Sequence, residues 1–194
     1  MNVTTQKIRA GSINPYDGGE IRNVSRHIIH PDYEDTSDHN NDIAVLIIDP
    51  PLDLSTKMMK SIKIANPSED ANIYTTLGNE FIIAGYGPTE STNDIVNLRW
   101  LQQPLVDQDL CSKIYANLPV PKVITNKMFC SGDELFKFTR NGDSGGPVTF
   151  FNVTTKETRL AGLISFGEDI EKEESFPDVN VRITEFYDWI MKTN

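Results

Sequence analysis

The 194-residue sequence has few cysteines, no long apolar run and no excess of positive charge, and each lack excludes a class of protein. Two cysteines, without a cluster of Cys and His, do not make a zinc site, so we expect no metal and no cofactor. No stretch approaches the roughly 18 apolar residues that span a bilayer. A net charge of −10 argues against nucleic acid or an anionic membrane surface as a partner.

The first ten residues, MNVTTQKIRA, contain no apolar block, and we therefore expect no secretory signal in this sequence. Cys111 and Cys130 are either two free thiols or one disulfide, and their number alone does not separate a cytosolic protein from a secreted one. Three Asn-x-Ser/Thr triplets begin at Asn2, Asn23 and Asn152, about as many as chance gives in a chain of this composition.

Short apolar segments separated by turn residues run along most of the chain. They are rich in Val, Ile and aromatic residues and are bounded by Gly, Pro, Asn or Asp, which is typical of β-strands. Such strands, with few helical stretches between them, predict an all-β sandwich or barrel. The segments are KIRAGS, NVSRHIIH, DIAVLIID, EFIIAGYG, LRWLQQPLV, PVTFF, RLAGLISFG and DVNVRI.

The C-terminus departs from this pattern. The segment TEFYDWIMK places Phe186, Trp189 and Ile190 on one face of a helix, with Thr184 in position to cap it. We therefore predict a terminal helix packed on a β domain.

The stretch RNGDSGGPVTF (140–150) places Ser144 between small residues, which suits either a phosphate loop or a nucleophile. A phosphate loop needs a Lys-Ser/Thr pair and a following helix, whereas Pro147 and an apolar β-type run follow here. The nucleophile elbow of α/β-hydrolases needs an acid and a histidine further along the chain, and no histidine follows Ser144.

The position of the histidines limits the remaining choices for a serine nucleophile. The order Asp, His, Ser would need an acid ahead of a histidine, and none of the three histidines has a plausible acid partner before it. Only the order His, Asp, Ser is left. The histidines are His27, His30 and His39.

Two motifs carry a specific resemblance to a known family. GDSGGP (142–147) resembles the serine motif of the chymotrypsin-like (trypsin-like) serine peptidases, and NDIAVL (41–46) resembles their aspartate motif. The similarity extends from about Lys7 to the end of the chain. Further stretches follow in the family's order: HPDY (30–33), AGYG (84–87), LISFG (163–167), PDVNVRI (177–183) and the terminal EFYDWI.

The resemblance implies an all-β, chymotrypsin-like double β-barrel with a C-terminal helix, in which the first barrel is incomplete. Residues 1–194 would form one peptidase domain that hydrolyses peptide bonds through an acyl-serine intermediate. Within it we expect the remainder of the first barrel at about 1–90, the second barrel at about 91–183 and the helix at 184–194.

Residue by residue, the resemblance implies Ser144 as the nucleophile and Asp42 as the acid that orients the imidazole. The backbone N–H groups of Gly142 and Ser144 would form the oxyanion hole. Cys111 and Cys130 match one of the family's disulfides. The implied substrate-binding residues are Phe138, Ser165, Gly167 and Asp178.

The pocket residues differ from those of trypsin-like members. Phe138 falls where those members carry the acid that selects basic side chains, and Asp178 on the opposite wall could supply an acid instead. We therefore predict a preference for basic side chains. Asp143 matches the residue that pairs with the amine freed on zymogen cleavage, and without that amine its loop should rearrange, take up water or hold a neutral acid.

The family's catalytic histidine lies in an Ala-Ala-His-Cys segment that this sequence does not contain, so we expect an N-terminally truncated peptidase. His30 matches a distant turn, His27 lies in an apolar strand, and His39 is placed to line the cleft without bridging Asp42 and Ser144. We expect the chain to be nearly inactive.

The rival interpretation is a non-catalytic homologue that acts as a binding or regulatory module. The resemblance implies a polypeptide substrate or inhibitor as the partner and an extracellular location. It does not predict the oligomeric state.

Overall fold

The computed structural model describes residues 6–33, 39–89, 96–132, 139–168 and 176–193. In these ranges the chain is mostly β-structure with short helices, which confirms the predicted all-β class. The strands are β1 (Lys7–Ala10), β2 (Glu20–Ile29), β3 (Ala44–Asp49), β4 (Lys63–Ile64), β5 (Glu80–Gly85), β6 (Arg99–Val106), β7 (Met128–Ser131), β8 (Pro147–Asn152), β9 (Glu157–Phe166) and β10 (Asp178–Arg182). The helices are α1 (Asp70–Tyr74), α2 (Gln108–Ala116) and α3 (Tyr187–Lys192).

Six strands close into a barrel, in the order β10, β7, β6, β5, β8 and β9, because β9 pairs back onto β10. Closure leaves no free edge among these six strands. Alternate residues point inward and form an aromatic and aliphatic core, as the period of a strand requires. The fully buried members of this core include Phe81, Phe129 and Val148.

The remaining strands form a separate three-stranded antiparallel sheet in the order β1, β2, β3. Lys7 lies opposite Asn23, and Asn23 lies opposite Asp49 across the sheet. A register shift between Val24 and Arg26 bends β2. This sheet corresponds to the remainder of the first barrel that the sequence predicts.

The division between the two units follows from sheet membership. Strand β4 pairs with β9 and strand β5 pairs with β6 and β8, so both belong with the closed barrel. We therefore propose that the boundary lies before Lys63 rather than near residue 90.

A hydrophobic cluster joins the three-stranded sheet to the barrel and the C-terminal segment. Ile43, just before β3, is buried against Val181, Ile183 and Phe186. Trp189 packs on the same cluster from α3, as the predicted helical face requires. Burial in this cluster fixes the position of Ile43, which directly follows Asp42 in the chain.

The start of the C-terminal helix differs from the prediction. Residues Ile183–Phe186 form a 3₁₀ turn, and α3 begins only at Tyr187. Thr184 does not cap the helix, because its hydroxyl donates instead to the Asp70 carboxylate, which also binds Arg182. The tertiary partner in α1 competes with the local cap for the hydroxyl group.

The two cysteines form the disulfide that the resemblance implies, Cys111–Cys130, which ties α2 to β7. Both are fully buried, beside Tyr115, Met128 and Val179. No helix in the described ranges is both long and apolar enough to cross a membrane.

Removing this disulfide by the double substitution Cys111→Ala and Cys130→Ala should lower the free energy of unfolding by ~3 kcal/mol, because the bridge closes a loop of about 20 residues in the unfolded chain. Urea unfolding measures the change. Reductant should lower the midpoint of the unaltered chain and leave that of the double variant where it is. Equal midpoints for the two oxidised proteins would contradict the expectation.

Candidate active site

The loop before β8 presents Ser144 at the protein surface, where the residue is exposed. Backbone hydrogen bonds hold the loop against β9: Gly145 N–H donates to the Ile164 carbonyl at 2.8 Å, and Ile164 N–H donates to the Gly146 carbonyl at 3.0 Å. Gly142 and Gly145 have φ angles of 104° and 78°, a region that favours glycine. The backbone of the turn therefore favours glycine at two of the three glycine positions of GDSGGP, Gly142 and Gly145.

The serine and its neighbouring amides are open to a ligand. Within the described part of the chain, neither the Ser144 hydroxyl nor the N–H groups of Gly142 and Ser144 form a hydrogen bond. Two unengaged N–H groups beside an exposed hydroxyl suit an oxyanion hole, which stabilises negative charge developing on a carbonyl oxygen.

Asp143 points away from Ser144 toward the end of β5. Its carboxylate accepts hydrogen bonds from the N–H groups of Gly87 at 2.7 Å and Arg140 at 3.0 Å. A Cβ atom at Gly85 or Gly87 would lie 1.9 or 2.3 Å from the carboxylate oxygens. The glycines of the AGYG segment thus make room for this side chain, and two backbone donors satisfy it.

Asp143 also lines a cavity of about 500 Å³, whose other walls include Ile83, Leu98 and Leu101. The cavity borders the carboxylate that, by resemblance, would meet a freed amine.

Asp42 lies in a short loop with unusual backbone geometry. His39 and Asn41 have φ angles of 47° and 58°, which non-glycine residues adopt at a cost in free energy. The Asn41 side chain is buried; it donates to the Asp32 carbonyl at 2.7 Å and accepts from Lys127 Nζ at 2.5 Å. These contacts, together with buried Ile43, hold the loop in place.

Asp42 and strand β9 meet directly. The Ser165 hydroxyl donates to Asp42 Oδ2 at 2.7 Å, although 123 residues separate the two in the sequence. Ser165 lies near the end of β9, beside Ile164, which anchors the serine loop. The structure therefore brings Asp42 and the Ser144 loop to the same end of β9.

A cavity of about 190 Å³ opens beside Ser144. Four residues singled out in the sequence line it, and Phe138 lies outside the described residues. The other walls include Thr139, Arg140 and Phe176. The four are Ser144, Ser165, Gly167 and Asp178.

Asp178 forms a buried acid in the wall of this cavity and is only 2% exposed. Its carboxylate accepts from Gln103 Nε2 at 2.6 Å and from the Thr139 hydroxyl and N–H at 2.8 and 3.0 Å. Burial raises the pKa of Asp178 above its ordinary value, although these three donors act in the opposite direction. A Cβ atom at Gly167 would lie 3.2 Å from Asp178 Oδ1, so glycine avoids a tight contact with that oxygen.

A buried polar network continues behind Asp178 inside the barrel. Gln103 accepts a hydrogen bond from the Ser131 hydroxyl at 2.7 Å, and Asn180 Nδ2 donates to that hydroxyl at 2.9 Å. Sequence reasoning did not identify Gln103, Thr139, Ser131 or Asn180. The available signal was a polar residue at an inward position of an apolar strand, as at Gln103 in LRWLQQPLV.

None of the three histidines forms a hydrogen bond with Ser144 or Asp42 in the described part of the chain. His30 packs between the rings of Phe186 and Trp189, with centroids 5.3 and 4.9 Å away, and burial lowers its pKa. His27 lies in β2. His39 packs on Phe166, with ring centroids 5.3 Å apart.

The family model named Trypsin matches residues 2–190. The chain belongs to the trypsin family. Its fold is therefore the chymotrypsin-like one, and the reaction of the family is serine-type hydrolysis of peptide bonds.

Individual relatives agree with this membership. The chain is 31% identical to the clotting factor G beta subunit of Tachypleus tridentatus over 95% of the chain and 60% of that protein. It is 33% identical to trypsin eta of Drosophila melanogaster over 90% of the chain and 61% of that protein. It is 29% identical to the complement C1s-1 subcomponent of Mus musculus over 88% of the chain and 25% of that protein. The chain thus spans about 60% of the length of the first two.

The substitution Gly87→Ala should destabilise the chain by ~1–3 kcal/mol, because the new methyl group would overlap the Asp143 carboxylate. In an Asp143→Ala background the same change should cost less, since the overlapping atoms are gone. Urea unfolding of the four proteins gives the coupling energy, which we expect at ~0.5–3 kcal/mol. An equal penalty in both backgrounds would disprove the contact.

The raised pKa of Asp178 should make stability depend on pH in a defined direction. The folded chain binds the proton more tightly than the unfolded chain, so this group stabilises the fold most at pH values below its ordinary pKa of 3.8. That contribution is lost as the pH rises from there through the folded pKa. The variant Asp178→Asn lacks this pH-dependent contribution to stability, because its side chain does not titrate.

Urea unfolding of both proteins at a series of pH values tests this expectation. The free energy of unfolding of the unaltered chain minus that of Asp178→Asn should fall as the pH rises through this window. A difference that stays constant or rises would show that the pKa is not raised.

Proposed function

We propose that this chain forms the serine-bearing part of a secreted serine endopeptidase. Ser144 attacks the scissile carbonyl, the N–H groups of Gly142 and Ser144 bind the oxyanion, and Asp42 orients an imidazole base. One observation carries the proposal: the Ser165 hydroxyl binds Asp42 and lines the cavity into which Ser144 opens. Asp42 is thus bonded to a residue that lines the same cavity as Ser144.

The 194-residue chain alone should hydrolyse peptides only slowly. A serine hydroxyl is a weak nucleophile until a base takes its proton, and none of the three histidines bonds to Ser144 in the described residues. In this family, loss of one triad member leaves only ~10³–10⁴-fold catalysis over water, supplied by the oxyanion hole and substrate binding.

The substrate we propose is an extended polypeptide. Its backbone would pair along Ser165–Gly167, where the chain runs beyond the last pairing of β9 with β8, at Leu163 opposite Pro147, and offers backbone donors and acceptors on that side. Its side chain would enter the 190 Å³ cavity toward Asp178. Because that carboxylate already accepts three hydrogen bonds, it has about one acceptor position left for a basic group.

The extracellular location is supported by the disulfide between Cys111 and Cys130, because such bonds persist in oxidising compartments and are rare in the cytosol.

A second candidate is a non-catalytic homologue that holds a polypeptide partner in the same cleft. The position of His30, packed between Phe186 and Trp189 rather than beside Ser144, favours it. The two candidates differ in whether the Ser144 environment is arranged to work with a base.

Rescue by added imidazole separates these candidates. In the enzyme, imidazole should accelerate labelling of Ser144 by a fluorophosphonate, because Asp42 can stabilise the imidazolium that forms. Peptide mass spectrometry locates the label, with exposed Ser61 as the internal reference. Ser144→Ala should abolish the signal, and Asp42→Asn should weaken the rescue.

A binding module predicts a different result. The rate of labelling at Ser144 would then equal the rate at Ser61, with or without imidazole. Rapid peptide hydrolysis by the unaltered chain without imidazole, abolished by Ser144→Ala, would overturn the expected low activity while keeping the assignment of the nucleophile.

A further inference from the structure

Two Asn-x-Ser/Thr triplets lie in the described residues, and their surroundings differ. The triplets are Asn23-Val24-Ser25 in β2 and Asn152-Val153-Thr154 at the end of β8. The triplet at Asn2 lies outside the described residues. This sequence pattern is the acceptor for N-linked oligosaccharides in proteins that enter the secretory pathway.

Asn23 faces solvent from the outer side of the three-stranded sheet. It lies directly opposite Lys7 on β1 and Asp49 on β3, and residues paired in this way project from the same face. All three residues are exposed, whereas the next residue, Val24, is buried on the inner face.

The side-chain amide of Asn23 is also chemically available, because it forms no hydrogen bond with any other described residue. The hydroxyl of Ser25, the third residue of the triplet, donates to the Ile47 carbonyl at 3.0 Å across the sheet. A sugar on Asn23 Nδ2 would therefore extend into solvent without breaking a contact of the fold.

Asn152 is in the opposite situation. It is only 8% exposed, and its Oδ1 accepts from the N–H groups of Thr154 at 2.9 Å and Thr155 at 3.0 Å. These bonds close the turn between β8 and β9, whose strands pair at Asn152 and Glu157. A sugar on Asn152 Nδ2 would need space beside a side chain that the fold buries and that these bonds hold in place.

We propose that Asn23 carries an N-linked oligosaccharide in the folded, secreted protein and that Asn152 does not. The Asn23 amide nitrogen would displace a polyprenyl diphosphate from the anomeric carbon of an oligosaccharide donor. A C–N bond forms, the bond between the sugar and the diphosphate breaks, and the amide loses one proton. The proposal rests on the extracellular location proposed above and is independent of catalytic activity.

A glycan at this position has a physical consequence for the surface of the sheet. Ile21 lies two residues before Asn23 on the same face and is 49% exposed. The sugar would shield part of this apolar side chain from water.

The test is expression of the chain behind a cleavable secretion signal in a eukaryotic host. Secreted protein is treated with peptide N-glycosidase in ¹⁸O-labelled water, which converts each glycosylated Asn to labelled Asp, and peptides are read by mass spectrometry. We expect label at position 23 and none at position 152. Asn23→Gln should lose the label at that site.

Two controls keep the outcome decisive. Ser25→Thr preserves both the triplet and the hydroxyl and should keep the glycan, and Asn152→Gln should leave the mass of the glycoprotein's sugar unchanged. If little protein is secreted, the same peptides are read from the protease-resistant, disulfide-bonded protein in the microsomal fraction.

An unmodified Asn23 or a glycan on Asn152 in either folded fraction overturns the proposal. Failure of imidazole rescue would instead affect only the proposed enzymatic activity, so the two results are distinguishable.

Discussion

The last residues of β9 hold the site together. Ile164 anchors the serine loop through two backbone hydrogen bonds, and Ser165 binds Asp42 at 2.7 Å. The next residue, Phe166, packs against His39, and Gly167 leaves room for Asp178. Because β9 pairs with both β8 and β10, closure of the barrel fixes its position. The positions of Ser144, Asp42 and the cavity relative to one another therefore depend on barrel closure rather than on any one loop.

The strands were largely predictable from the sequence, since all eight apolar segments contain a strand. Strand β7 was missed because its four residues, Met128–Ser131, are all buried and show no alternation. Helix α2 was also missed, although Asp107 ahead of it is a usable start signal: its side chain accepts from the Leu110 N–H.

The site was predictable only in part, and mainly through resemblance. Spacing alone gives no reason to pair Asp42 with Ser165, which are 123 residues apart. The two residues were singled out because each lies in a motif that resembles the family, NDIAVL and LISFG. The network of Gln103, Ser131 and Asn180 behind Asp178 was not predictable, because it depends on which residues of three strands face one another after closure. Polar residues in apolar strands become informative only when the register is known.

The charges around the site support the imidazole base that we propose for it. Asp42 and Asp143 are held by neutral donors, and the buried Asp178 lies close enough to Asp143 for its pKa to be raised further by that charge. Negative groups near Ser144 disfavour an isolated alkoxide, since like charges repel. The same groups favour a base that becomes positive on taking the proton. In the mechanism we propose, these charges disfavour a bare serine nucleophile and favour a serine paired with an imidazolium, toward which the Asp42 carboxylate, bound by Ser165, would be directed.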